Sequence, residues 1–314
     1  MDFILLILGL AVLVIGGEFL VKGAVGIARN LEISPLVIGM TVVSFGTSAP
    51  ELLVSLQAAA EGSPEIAVGN VIGSNIANLA LVLGVTVLIF PIIVERQTKV
   101  IDWPVMMLAT ILFYIFLFDG IMDRWEGLVL FCFLVTFITW LIRRSRKESK
   151  LKIEEQGGKE STLLTIGYLI LGLIGLYFGS EWFVEGAVQI AINLGMSKSV
   201  IGVTIVAFGT SAPELVTSCV AAYRKQSDIS IGTLIGSNIF NIMAVIGLTS
   251  VVRPIDLNGV DASQFLNFDM YWVAGIALAL LPMMYFGVKF GRLKGVVLLI
   301  SYIVYISIIV SANI

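Results

Sequence analysis

The sequence Gly46-Thr-Ser-Ala-Pro-Glu51 occurs a second time, unchanged, at Gly209-Thr-Ser-Ala-Pro-Glu214. Each copy places a carboxylate and a proline inside a long apolar segment. Within a bilayer a charged side chain costs roughly 3 kcal/mol or more, and a proline removes a helical hydrogen bond. Lipid satisfies neither group, so an ionisable residue at this depth is expected to be functional. Two of them at matched positions predict one shared site between two halves of the chain.

The composition is that of a polytopic membrane protein. Of 314 residues, 58% are hydrophobic and 13% are charged, and the mean hydropathy is +1.01, far from the average of soluble domains. Histidine, the commonest protein metal ligand, is absent. Cys132 and Cys219 lie in apolar segments without metal-ligand spacing, and we interpret them as packing residues. Any bound cation must therefore be held by oxygen. The basic residues lie in short loops, so no nucleic-acid partner is expected.

Apolar segments long enough to cross a bilayer, at about 20 residues per crossing, predict an all-α fold with ten transmembrane helices. Residues 1–142 form a first five-helix repeat, 143–161 a polar linker and 162–314 a second five-helix repeat. The predicted spans are 3–29, 35–60, 64–90, 99–118, 125–142, 162–193, 198–222, 229–252, 267–286 and 293–312.

The two halves repeat each other without a gap from Gly16 to Ile92, residue i matching residue i+163. The segment Leu36 to Glu51 is identical to Ser199 to Glu214 at 12 of 16 positions. Because each unit holds an odd number of crossings, the second unit enters the membrane from the opposite side. The sequence therefore predicts inverted repeats.

Loop charges predict the orientation in the cell membrane. The linker 143–161 carries seven Lys and Arg residues, and basic loops are retained in the cytoplasm. If this linker is cytoplasmic, fifteen of the nineteen basic residues fall on the cytoplasmic side. Both termini are then extracellular.

The first repeated motif combines a helix break with a carboxylate. Pro50 cannot donate the usual helical hydrogen bond, and we expect it to release backbone carbonyls between Ser44 and Thr47. Thr47 and Ser48 precede Glu51 by four and three residues, so their hydroxyls share a helix face with the carboxylate. The second copy repeats the arrangement with Thr210, Ser211, Pro213 and Glu214.

A second motif follows at equal distance in both halves, as Gly73-Ser-Asn-Ile-Ala-Asn78 and Gly236-Ser-Asn-Ile-Phe-Asn241. Its serine and final asparagine lie four residues apart and share a face. With the carboxylates, these groups supply a mixed oxygen cage. Ca²⁺ accepts roughly six to eight oxygens at flexible distances, whereas Mg²⁺ demands a strict octahedron, so the cage favours Ca²⁺. Na⁺ can use the same oxygens.

The doubled pair of motifs resembles the alpha repeats of the sodium/calcium exchanger family within the cation/calcium antiporters, above all its compact prokaryotic members. The resemblance covers essentially the whole chain. It implies a secondary antiporter, not an enzyme, that exchanges Na⁺ for Ca²⁺ by alternating access and extrudes cytoplasmic Ca²⁺. It also implies that helices 1 and 6, which are rich in glycine, slide across a more rigid core. The expected partners are Ca²⁺, Na⁺ and the lipid bilayer, with no cofactor and no obligate protein partner.

The resemblance also assigns roles to individual residues. It implies that Glu51 and Glu214 coordinate Ca²⁺ together, helped by Thr47 and Thr210. Sodium ions would use the side chains of Ser74 and Ser237 and the backbone carbonyls of Ser44 and Ala207. The remaining motif residues would support or line the site: Ser48, Ser211, Pro50, Pro213, Asn78 and Asn241.

Several alternatives stay open at the level of sequence. Some relatives carry aspartate where this chain has Asn241, and in the potassium-dependent members that carboxylate is tied to potassium binding. The asparagine therefore favours potassium-independent exchange over potassium-dependent or proton-coupled exchange. A cation channel would also need carboxylates in a pore. An intramembrane hydrolase could use Ser48 or Ser211 as nucleophile, but histidine is absent and no lysine lies near either serine. Glu18, one turn before Lys22, fits an ion pair or a place on the ion path.

Overall fold

A computed structural model describes residues 2–149, 161–196, 207–258, 264–286 and 289–312, which are almost entirely helical, as predicted. The two strands in these residues, β1 Ile121–Met122 and β2 Ile255–Asp256, have two residues each. The helices are α1 Asp2–Leu31, α2 Pro35–Thr47, α3 Ala49–Glu61, α4 Pro64–Ile89, α5 Thr98–Leu117, α6 Arg124–Ser149, α7 Thr162–Asn193, α8 Ala207–Thr210, α9 Ala212–Tyr223, α10 Ser227–Val252, α11 Phe265–Tyr285 and α12 Arg292–Ala312.

The helices account for nine of the ten predicted crossings. Within the described ranges, eight helices are long and apolar enough to span a membrane, and α2 with α3 forms a ninth span bent by 44°. The remaining predicted span, 198–222, is represented by α8 and α9, while residues 198–206 lie outside the described part of the chain. The tenth crossing therefore stays a prediction.

Helix α6 continues beyond its predicted end at residue 142 as far as Ser149. Arg144 forms an ion pair with Glu148 one turn later, at 2.9 Å, which supports helical structure in a polar stretch. The Ser145 hydroxyl accepts a hydrogen bond from the backbone N–H of Ser34 at 2.8 Å. The start of the predicted linker is thus helical and packs against the α1–α2 turn, while residues 150–160 are not described.

Helices α1 and α7 run antiparallel in close contact. The Asn193 side chain at the end of α7 lies 3.3 Å from the carboxylate of Asp2 at the start of α1. A Cβ added at Gly23 would lie 2.7 Å from the backbone nitrogen of Leu169, and one added at Gly186 would lie 2.6 Å from that of Leu6. A shift of 163 residues exchanges these two contacts. A two-fold axis perpendicular to the helices therefore relates the halves, which confirms the inverted repeats.

Two short backbone pairings repeat this symmetry at opposite ends of the bundle. Ile92 pairs with Phe290 through hydrogen bonds of 3.1 and 2.7 Å. Ile255, the repeat equivalent of Ile92, pairs with Met122 between β2 and β1. We call the first end, where α6 ends and α7 begins, the linker side, and the other, where α1 begins, the N-terminal side.

The third helix of each half lies at the centre of the bundle. Helix α10 is buried along its whole apolar stretch, whereas most of α6 and α12 is exposed on the outside. Both central helices contain π-helical segments, Ala77–Val82 in α4 and Asn241–Ile246 in α10. Such segments are frequent at functional sites because they widen the helix locally.

Candidate cation site

The Gly-Thr-Ser-Ala-Pro-Glu motifs form the same backbone break in both halves. Helix α2 ends at Thr47 and α3 begins after Ser48, whose φ and ψ are −88° and 3°. Ser211 adopts φ −89° and ψ 2°. Pro50 lies in the first turn of α3, a position that proline favours because its fixed φ suits the start of a helix. Glu51 follows in the same turn, where the positive end of the helix dipole favours an anion.

Glu51 and Glu214 come together from opposite repeats. They are 1% and 0% exposed, and their carboxylates are close enough to repel each other electrostatically. The Ser48 hydroxyl lies 3.5 Å from Oε1 of Glu214, and Thr47 and Ser237 also lie against this carboxylate. The Glu214 carboxylate is therefore surrounded by hydroxyls from both halves.

Several buried polar atoms around the carboxylates have no protein hydrogen-bond partner among the described residues. Buried polar groups are nearly always hydrogen-bonded in proteins, so this concentration marks a site suited to a ligand. The surplus is mainly of acceptor oxygens, which fits a hard cation. On the predicted site residues, the buried unpartnered atoms are Oε1 and Oε2 of Glu51, Oε2 of Glu214, Oγ of Ser211, Nδ2 and Oδ1 of Asn78 and Oδ1 of Asn241.

The other predicted ligands occupy different environments. Ser74 and Ser237 are buried on α4 and α10, and Ser237 Oγ lies 3.4 Å from Thr47 Oγ1 across the repeat boundary. Thr210 is partly exposed at the end of α8, which begins at Ala207. Ser44 is buried, but its hydroxyl oxygen lies 2.8 and 3.0 Å from the backbone oxygens of Gly39 and Thr233, which share its single O–H donor.

One of the two carbonyls expected to bind sodium keeps its helical hydrogen bond. The Ser44 carbonyl accepts from Ser48 N–H at 2.9 Å. The carbonyl left without a helical donor by Pro50 is that of Gly46, which lies within the predicted range from Ser44 to Thr47. In the second half the equivalent carbonyl, that of Gly209, accepts a hydrogen bond from the Ser180 hydroxyl at 2.7 Å. Residue 17 is the equivalent of Ser180 and is glycine, so the first half offers no such hydroxyl.

The sequence-based list missed two buried amides beside the site. Asn75 and Asn238 are 2% and 1% exposed. Nδ2 of Asn241 donates to Oδ1 of Asn75 at 3.1 Å, and Nδ2 of Asn75 lies 3.4 Å from the backbone oxygen of Asn238. The signal was present, because both asparagines belong to the repeated Gly-Ser-Asn-Ile-x-Asn motif.

A second repeat-related pair of buried carboxylates was also missed. Asp102 and Asp269 are 0% and 3% exposed. Each accepts a hydrogen bond at 3.4 Å from the glutamine five residues before it, Gln97 and Gln264 respectively. These pairs are offset by 167 residues instead of 163, so they lie beyond the gapless part of the repeat. They are separate from the Glu51–Glu214 site.

Glu18 forms an ion pair, but with a different residue from the one considered. Its carboxylate contacts the guanidinium of Arg224 at 2.8 Å, and this contact raises the pKa of the exposed Arg224 side chain above its usual value. Lys22 instead donates to the Tyr168 hydroxyl at 2.9 Å. The repeat equivalent Glu181 lines a cavity of about 490 Å³ that reaches Pro50 and Thr210.

The inverted repeats, the broken helices and the buried oxygen site define a multi-span membrane protein of the secondary-transporter class. The family model for sodium/calcium exchanger proteins matches residues 1–143 and 164–311. The chain belongs to this family of transporters.

Individual relatives match over nearly their full length. The chain is 38% identical to the putative antiporter CaxA of Alkalimonas amylolytica, covering 96% of both sequences. It is 31% identical to the sodium/calcium exchanger MaX1 of Methanosarcina acetivorans, covering 98% of both. A solved structure of the sodium–calcium exchanger NCX_Mj superposes with a TM-score of 0.85, 34% identity and 98% coverage of both chains. The resemblance to compact prokaryotic exchangers is therefore confirmed.

Proposed function

We propose that this protein exchanges Na⁺ for Ca²⁺ across the cell membrane by alternating access and thereby extrudes cytoplasmic Ca²⁺. The observation that carries the proposal is the burial of Glu51 and Glu214 together, from opposite repeats, with three of their four oxygens unpartnered. The likeness to NCX_Mj, whose soaks with Na⁺ and Ca²⁺ concern extracellular ion exchange in that protein, supports it.

Competition for the two carboxylates provides the coupling. One Ca²⁺ or two Na⁺ neutralise the pair, whereas an empty site leaves two buried negative charges. Moving such charges through a closed barrier is costly, so the empty protein changes its accessibility slowly. Each cation therefore crosses only when the other returns.

Removal of one carboxylate tests this function. We expect Glu51→Gln or Glu214→Gln to abolish Ca²⁺ uptake into sodium-loaded liposomes, because one remaining charge no longer balances Ca²⁺. Glu61→Gln is the matched control, since Glu61 is an exposed residue bonded to Gln57. Uptake near the normal rate in either site variant, with the control unchanged, would reject the shared site.

The counter-ion is tested in the same liposomes. Uptake driven by a sodium gradient, without added potassium and without a pH gradient, supports sodium as the sole counter-ion, in line with the neutral Asn241. A requirement for potassium or for a pH gradient would replace it with potassium-dependent or proton-coupled exchange. Ca²⁺ flux that ignores sodium on the opposite side would instead identify a channel, because a channel needs no counter-ion.

The proposed orientation places the linker in the cytoplasm and both termini outside. The excess of Lys and Arg in residues 143–161 supports this orientation. A cysteine introduced at Lys152 should react with a membrane-impermeant thiol reagent only after cells are opened. Labelling of intact cells would reverse the assigned direction of transport.

A further inference from the structure

The two repeats differ in how they hold the last asparagine of the Gly-Ser-Asn-Ile-x-Asn motif. In the second half, Asn241 donates an amide N–H to Oδ1 of Asn75 at 3.1 Å. The symmetry-related contact would join Nδ2 of Asn78 to Oδ1 of Asn238, but both of these atoms lack a partner in the described residues. Asn238 donates to the backbone oxygen of Leu234 in its own helix, at 2.7 Å.

The bond from Asn241 to Asn75 decides which end of the Asn241 amide is available. An asparagine side chain has a donor end and an acceptor end, and only the acceptor oxygen attracts a cation. Because Nδ2 of Asn241 is used by Asn75, Oδ1 is left over. This oxygen is buried and has no partner.

Helical spacing places that oxygen toward the site. Asn241 follows Ser237 by four residues and shares its face. Ser237 lies 3.4 Å from Thr47 Oγ1 and beside the Glu214 carboxylate. The free oxygen of Asn241 is therefore on the side of α10 that faces the two carboxylates.

We propose that Asn75 is a positioning residue that holds the Asn241 side chain with its oxygen toward the transported cation. No side chain in the described part of the chain holds Asn78 in the same way, so the two matched asparagines are not equivalent ligands. Asn241 is a fixed oxygen ligand, whereas Asn78 is free to turn either end of its amide toward the site. This role rests on the proposed cation exchange and assigns a task to a residue that does not touch the cation itself.

Paired alanine variants in liposomes test the role of Asn75. Asn75→Ala should raise the Ca²⁺ concentration for half-maximal uptake by about five- to tenfold, the value expected from one hydrogen bond, with the maximal rate within about twofold of normal. Ser250→Ala is the control, because Ser250 is also buried and its hydroxyl donates to the backbone oxygen of Ile246 one turn earlier in the same helix, α10. It should leave the half-maximal concentration within about twofold of normal.

A double-mutant cycle separates positioning from general structural damage. If Asn75 acts through Asn241, Asn75→Ala should add nothing to the loss of affinity caused by Asn241→Ala, because the oxygen to be positioned is gone. Asn75→Ser is measured in parallel, since it keeps a polar side chain but is too short to reach Asn241. The same loss of affinity is expected if both variants fold.

Three outcomes overturn the proposal: equal effects of Asn75→Ala and Ser250→Ala, additive effects of Asn75→Ala and Asn241→Ala, or normal affinity in Asn75→Ser. The Glu51→Gln variant distinguishes these failures from a failure of the proposed function. If Glu51→Gln abolishes exchange while Asn75→Ala has no effect, only the positioning role is lost. If Glu51→Gln exchanges ions normally, the shared site itself is rejected.

Discussion

The suitability of Glu51 and Glu214 as cation ligands depends on the position of their carboxylates as much as on their charge. They are held in first turns of α3 and α9 by identical backbone breaks, and Glu214 is flanked by hydroxyls from both repeats. Metal ligands must approach their preferred distances within about 0.2 Å. A carboxylate at the correct charge but the wrong distance is therefore a poor ligand.

Shortening one carboxylate side chain tests this dependence on distance. Glu51→Asp keeps the charge but withdraws the carboxylate by one methylene group. We expect the apparent affinity for Ca²⁺ to fall at least about tenfold, equal to about 1.4 kcal/mol, while some transport remains. Glu61→Asp serves as the control on the same helix. Normal Ca²⁺ affinity in Glu51→Asp, measured by concentration-dependent uptake, would show that charge alone is sufficient.

At the scale of helices, glycine allows α1 and α7 to approach as closely as backbone atoms permit. An added Cβ at Gly179 would lie 2.6 Å from the backbone nitrogen of Leu13, and one at Gly16 would lie 2.7 Å from that of Leu176. Small residues at such contacts allow tight van der Waals packing in membranes. The absence of side chains also leaves a smooth surface between the two helices.

A single methyl group should disturb this surface. Gly179→Ala forces α1 and α7 apart, and overpacking typically costs about 1–3 kcal/mol, so we expect a lower melting temperature and slower Ca²⁺ uptake. Gly167→Ala is the matched control on the same helix, because a Cβ there meets nothing within 4 Å. Thermal unfolding in detergent and initial uptake rates provide the measurements. Similar behaviour of both variants would contradict a role for close α1–α7 contact.

At the scale of the whole molecule, charge breaks the two-fold symmetry. On the linker side, Glu18 of α1 pairs with Arg224 at the end of α9. The repeat equivalents on the N-terminal side are Glu181 and Glu61, and two carboxylates repel each other. The cavity of about 490 Å³ lined by Glu181 lies toward this second side. The ion pair thus joins α1 to α9 on the linker side, whereas the equivalent residues of α7 and α3 are both acidic.

Reversing the charge of Arg224 should weaken the contact between α1 and α9 on the linker side. In Arg224→Glu we expect α1 to separate from α9 more often. Val216 of α9 packs against Gly17 of α1, so a cysteine at position 216 should react with thiol reagents a few times faster. The change is small because exposed ion pairs contribute little. Cys132 and Cys219 are first replaced by serine. Glu18→Arg combined with Arg224→Glu should restore slow labelling, and failure of the double variant to do so would argue against the ion pair.

The sequence predicted the architecture because its signals are local or repeated. Hydropathy marked the spans, and the ungapped repeat to Ile92 required inversion once each half held an odd number of crossings. The motifs also predicted Glu51 and Glu214, which the fold brings together. The sequence comparison did not reveal the pair Asp102 and Asp269, because four additional residues in the second half change the offset between the repeats from 163 to 167.

The amino-acid sequence by itself determined that this is an inverted-repeat membrane protein with paired intramembrane carboxylates. Hydrophobicity, the odd number of crossings in each half and the duplicated motifs are all properties of the sequence alone. Only the tertiary structure decided how the matched halves differ. Asn75 bonds Asn241 while the equivalent amides stay apart, and Glu18 selects Arg224 over the nearby Lys22. These choices depend on packing between helices far apart in the chain, where small differences in neighbouring side chains determine which of two equivalent hydrogen bonds forms.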